Sequence, residues 1–166
     1  MKLKLREIII FALLGVIMFI SKLVMDALPN IHLIGAFTIA FTVVYRRKAL
    51  YPITIFATLT LVYAGFYMWP YFYIWAILWG VTMLLPKKMP DAVAAVVYII
   101  VCGLHGLSFG TLYTPAQALM FGLNLEQMIA WIIKGFPYDI IHMHGNLLAG
   151  VLILPIIKVL KIADRR

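Results

Sequence analysis

The chain has 166 residues, of which 65% are hydrophobic and only 12% charged, and its mean hydropathy is +1.04. Soluble domains carry about a quarter charged residues, so the composition excludes an ordinary soluble domain and indicates an integral membrane protein. The net charge of +8 invites a nucleic-acid reading, but basic loops on one side of a many-spanning protein give the same sum without such a partner.

The first segment, MKLKLREIIIFALLGVIMFISK, has the basic start and apolar core of a signal peptide. The apolar run is long, however, and no small-x-small cleavage site follows it, so a retained first helix is expected over residues 8–25. Ala12 and Gly15 on that helix form a small patch near Ser21, a surface on which helices dock in lipid. Further apolar blocks follow at 31–45, 51–68, 71–85, 92–112 and 140–160. A span needs about 20 apolar residues, so the second and fourth blocks are short. Between the fifth and sixth blocks a long connection, 113–139, holds PAQALMFGL and EQMIAWIIKG. Both pieces are too short and interrupted to span, and read as amphipathic or re-entrant.

Charge placement orients this series. With six crossings and both termini cytoplasmic, the inner segments hold twelve of the fourteen basic residues, leaving Lys22 and Lys134 toward the outside. Five or seven helices would break that alternation, so the positive-inside rule favours six. One domain over 1–166 is expected: an all-α integral membrane protein with a long outer connection between helices 5 and 6.

Polar residues cluster on the expected outer side. In FPYDIIHMHGN, residues 136–146, Asp139, His142 and Asn146 stand at i, i+3 and i+7 and share one helix face. His144 points almost oppositely, so the HMH pair is a poor chelate on a helix, and no metal site is expected. Helix-end capping at the interface and a ligand-facing stripe both fit these residues. Intramembrane ionisable groups are costly without a role, which favours the stripe, with His144 a further candidate contact. Gly103, Gly106 and Gly110 line up for close helix packing rather than for phosphate, since no Gly-Lys-Ser/Thr follows. His105 lies off that row. Asn30 and His32, with Pro29, mark the first outer turn, and Tyr67, Trp69, Tyr71 and Tyr73 the next. An interfacial aromatic belt explains the aromatic group, and a grip on a flat heterocycle does as well. Tyr113, Gln117, Asn124 and Trp131 are placed to form a lid over the same space. The lone Cys102 permits no intrachain disulfide.

With LPNIHLIGAFTIAFTVVYRRKALYP early, FGTLYTPAQALMFGL later and FPYDIIHMHGN after it, the chain resembles the substrate-binding S components of energy-coupling-factor vitamin transporters. The resemblance implies a six-helix membrane protein of the bacterial plasma membrane that binds a vitamin near its outer face. It also implies two kinds of partner: a transmembrane coupling protein and two cytoplasmic ATPases. In the family an AxxxA motif on the first helix meets the coupling protein. The nearest match, residues 12–16 with Ala12 and Gly15, departs from that pattern. The nickel and cobalt branches carry His after the initiator Met, where this chain has Lys2, so a metal cargo is not expected. The cobalamin branch is the most similar, with a thiamine precursor, a queuosine precursor and folate as the open alternatives. No Walker loop is present, so ATP hydrolysis is expected on partner chains and no resident cofactor is implied. Two other classes compete: a small haem or metal redox protein using His105, His142 and His144, and a purely structural membrane subunit.

Overall fold

The computed structural model describes residues 3–28 and 30–164. Lys2, Pro29, Arg165 and Arg166, which entered the charge and turn arguments, lie outside the described residues. Eight α-helices and two short 3-10 turns account for the described chain, with no strand among those residues. The helices are α1 (Leu5–Val24), α2 (Ile34–Tyr45), α3 (Leu50–Ala64), α4 (Tyr71–Leu84), α5 (Asp91–Leu107), α6 (Phe109–Phe121), α7 (Leu125–Gly150) and α8 (Ile153–Asp164).

Among the described residues, two helical stretches are long and apolar enough to cross a membrane: Leu5–Val24, and Asp91–Phe121 taken through α5 and α6. A third arises if α7 and α8, bent by 46° at their junction, count as one span. Helix α2 is short for a different reason than weak sequence. Its apolar residues run all the way round, with Ile34, Ala36, Ile39 and Ala40 fully buried, the mark of a helix enclosed by others. Its Thr42 hydroxyl returns a 2.6 Å bond to the Thr38 carbonyl, so the core need not accommodate a free hydroxyl there.

The 113–139 stretch corrects the sequence expectation. It is not a connection with isolated helical pieces, but the facing halves of two helices joined by a tight turn. Gly122, at φ +67°, ends α6 in the left-handed region. Asn124 then caps α7: its side chain accepts from the Gln127 amide while Gln127 accepts from the Asn124 amide, both at 2.9 Å. This reciprocal cap starts a helix, and α7 runs on through Pro137 without a break. FPYDIIHMHGN therefore lies inside a 26-residue helix rather than at the start of one. A proline inside a helix costs a hydrogen bond, and packing of α7 on α5 and α6 outweighs it.

The bundle has two chemically distinct ends. At one, Arg6 reaches the Ala163 carbonyl, Lys48 pairs with Glu7, Arg46 donates to the Met83 carbonyl at 3.0 Å, and Lys158 pairs with Asp91 at 2.7 Å. At the other, the Tyr73 hydroxyl donates to the Leu112 carbonyl at 2.6 Å, and Tyr113 donates to the Tyr67 carbonyl. The basic end contains one strained residue. Arg46, at φ +54° and ψ −121°, has the geometry of the first central residue of a type II′ turn. Glycine adopts this freely, whereas an arginine there costs about 1–3 kcal/mol.

Gly15 is used within the chain. It is buried on α3, and a Cβ there would meet the Ile55 side chain at 2.6 Å and the Pro52 carbonyl at 3.0 Å. The face of α1 open to a partner is the opposite, aliphatic one, with Leu13, Ile17 and Ile20 exposed. Ala12 is half-buried between the two.

Gly135 offers a simple stability test. It lies inside α7, and a Cβ there would touch nothing within 4 Å. Gly135→Ala should therefore stabilise by roughly 0.5–1 kcal/mol, raising Tm by about 1–4 °C in thermal melts.

Candidate ligand-binding site

Glycines on α5 and α6 bring the polar stripe of α7 to the interior. A Cβ on Gly106 would lie 2.8 Å from the His142 carbonyl oxygen, and one on Gly110 would lie 2.5 Å from Oδ2 of Asp139. Only glycine lets the helices approach this closely, so the row read from the sequence as packing is the seam between α5–α6 and α7. Across that seam, Oδ1 of Asp139 accepts from the Gly110 amide at 2.8 Å, and Nδ2 of Asn146 donates to the Cys102 carbonyl at 3.0 Å. Asp139, His142 and Asn146 are all buried. The two flanking residues thus spend their main contacts on holding helices together, as polar residues do in lipid.

His142, between them, is differently placed. Its ring stands edge-on to His32 at 4.8 Å and to Phe109 at 4.7 Å between centroids. His142 and His32 line a cavity of about 200 Å³, together with Asn30, Tyr71 and Phe109, and with Lys22 and Asp26 at its polar rim. Lys22 and Asp26 pair at 3.6 Å. Behind the wall, Trp75 stacks at a tilt on His105, 5.1 Å away, and also meets His32 and Phe109. Three imidazoles and three aromatic rings therefore share one nest. Burial, with the Lys22 charge adding to it, pushes His32 down to about 4. Its ring, in the turn ahead of α2, is thus neutral at physiological pH and offers one donor and one acceptor.

Several polar atoms in the nest have no partner among the described residues: Nδ1 of His32, Nε2 of His142, Nδ1 of His105, Nε1 of Trp75 and Oδ1 of Asn146. Buried polar atoms are nearly always paired, and leaving one unpaired costs about 1–3 kcal/mol. Two of the five, on His32 and His142, belong to residues of the cavity wall. His105, with a third unpartnered imidazole nitrogen, lines a neighbouring cavity of about 340 Å³.

The remaining expected residues divide by position. Asn30, His32, Tyr71 and His142 come together on the cavity. Tyr113 stacks on Phe109 at 6.1 Å and ties to Tyr67, forming a layer next to the nest. Trp69 packs on Tyr73 at 5.8 Å, and Gln117 sits on α6 with a buried, unpartnered Oε1. Trp131 is exposed on α7, outside the cavity wall. His144 is exposed, with Nδ1 2.8 Å from the Ile140 carbonyl, and faces away from His142. Lys22, Asp26 and Phe109 on the cavity, and Trp75 behind it, were not read as site residues in the sequence. Phe109 falls within GLHGLSFGTLY, so its placement three residues after Gly106 and next to Gly110 was the available signal.

Among the described residues, no group of three or more His, Cys, Asp or Glu side chains is placed to hold a metal ion. The histidine set of a haem or metal reading is split, since His144 is on the opposite side of α7 from His142. What the geometry defines is an all-helical, strongly apolar protein with a half-open cavity near one end, lined by aromatic and imidazole rings and by the Lys22–Asp26 pair. No family model, curated protein or solved structure matches the chain.

Proposed function

We propose that the chain is the substrate-binding subunit of an ATP-driven vitamin importer of the energy-coupling-factor type. It takes a vitamin or vitamin precursor into the cavity bounded by His32, Tyr71, Phe109 and His142. The observation that carries this reading is a pair of imidazoles with unpartnered nitrogens, His32 and His142, lining one half-open cavity beside Tyr71 and Phe109. A heterocycle with its own donor and acceptor satisfies both nitrogens and stacks on the rings beside them.

The proposed topology is six crossings of the bacterial plasma membrane, with α5–α6 and α7–α8 each counted once. Contact between Arg6 and the Ala163 carbonyl puts the first and last helices at the same end of the bundle, as an even number of crossings requires. The basic end is then cytoplasmic by the positive-inside rule, and the cavity opens outward. A coupling protein would meet the aliphatic face of α1, and two ATPases would supply the energy.

The resemblance places cobalamin first. The cavity volume of about 200 Å³ is below the roughly 300–1,000 Å³ of pockets for drug-sized ligands. This conformation therefore favours the smaller alternatives, a thiamine or queuosine precursor, and a corrinoid would require the outer turn to open. Mass spectrometry of ligand released from gently purified protein distinguishes these. The expected result is one stoichiometric vitamin-like heterocycle. Recovery of haem instead would replace the importer reading with the redox one.

A further inference from the structure

We propose that the basic end carries a second site, built for the phosphate of an anionic phospholipid. Two adjoining grooves share Arg46 and Lys87 as lining residues. The larger, about 400 Å³, adds Arg47 and Lys48 to those two, against a wall of Tyr45 and Met83. The other, about 250 Å³, is mostly apolar, lined by Val43, Leu85, Pro86 and Tyr98. A cationic cup continuous with an apolar trough matches a phosphate joined to a glycerol and the first carbons of its acyl chains. Basic pockets at the cytoplasmic ends of membrane helices take such headgroups.

The charges are available to a ligand. Among the described residues no carboxylate lines either groove. Lys48 is committed to Glu7, but Arg47 and Lys87 are exposed and in no ion pair among those residues. Arg46 is held in place from both sides: its guanidinium donates to the Met83 carbonyl at 3.0 Å, and its own carbonyl accepts from Nε1 of Trp79 at 3.1 Å. That anchoring maintains the left-handed backbone of Arg46 where glycine would be free of strain. A strained residue held this firmly points to a role for its side chain, and the planar guanidinium suits a phosphate. The assignment of this end to the cytoplasmic leaflet rests on the proposed orientation, while the site itself does not.

The test uses the full chain in a neutral detergent, with thermal unfolding read against added phosphatidylglycerol, phosphatidylcholine of the same chain length, or inorganic phosphate. Phosphatidylglycerol well above its Kd should raise Tm by about 5 °C, and phosphatidylcholine should not. The exposed pair Arg47→Gln with Lys87→Gln should lose most of that shift, and so should Arg46→Gly, which relaxes the turn. Lys88→Gln with Lys161→Gln, an equal loss of charge at the same end outside both grooves, should keep it. Equal shifts from the two lipids, a wild-type response in the Arg47/Lys87 variant, or equal loss in the Lys88/Lys161 control would each overturn the proposal. A full shift from inorganic phosphate alone would overturn the lipid assignment in favour of a soluble phosphate ligand. Vitamin binding is measured separately on the same variants, so failure of one site leaves the other decided on its own data.

Discussion

Replacing Gly106 by alanine is expected to lower Tm by roughly 3–10 °C, a cost of about 1–3 kcal/mol, and to weaken ligand binding with it. The added methyl meets the His142 carbonyl oxygen at 2.8 Å and the carbonyl carbon at 2.9 Å. Those are backbone atoms, which cannot rotate aside as a side chain would. The seam between α5 and α7 must open, and opening it lengthens the bonds from Asn146 to Cys102 and from Asp139 to Gly110. Gly103→Ala makes the informative comparison. Its new methyl meets the end of the Leu147 side chain at 2.5 Å, which has rotamers to escape into, so its cost should be the smaller. Equal melting temperatures for wild type and Gly106→Ala would show that the seam is looser than the geometry requires.

The second large effect concerns ligand affinity. His142→Ala should weaken vitamin binding about 10–100-fold, because it removes a wall residue with an unpaired nitrogen and a ring face from the cavity. A hydrogen bond and its desolvated partner are worth about 1–3 kcal/mol, which converts to that range. His144→Ala, two residues on and exposed, should leave affinity unchanged. Asp139→Ala and Asn146→Ala should act chiefly on Tm, since both side chains bond to backbone across the seam. Equal losses at His142 and His144 would contradict this division of labour along α7.

The helical, apolar class was legible from composition, and helical spacing alone separated His142 from His144. The Gly103–Gly106–Gly110 row also announced close packing, because small residues at that spacing have few other uses in an apolar helix. The sequence did not reveal that this row faces the Asp139–His142–Asn146 stripe. Periodicity defines a face but not its partner, so bonds from Asp139 and Asn146 to the backbone looked the same as ligand contacts. The start of α7 was missed because the Asn124–Gln127 cap, which begins the helix twelve residues before Pro137, lies inside the stretch read as short, interrupted pieces. Trp75 and Phe109 were hidden for a different reason: in a chain with 14% aromatic residues, one ring in an apolar run does not stand out, and only packing gathers them around His32 and His142.

On the proposed function, the cavity between His32 and His142 holds a small heterocycle without help from ATP. Isothermal titration calorimetry of the purified chain against a panel of vitamins and precursors tests it most directly, with cobalamin, folate and thiamine and queuosine precursors included. One compound should bind one-to-one in the absence of nucleotide, weakened by His142→Ala and untouched by His144→Ala. No heat from any member of the panel, with a ligand-free protein that melts cooperatively, would contradict it.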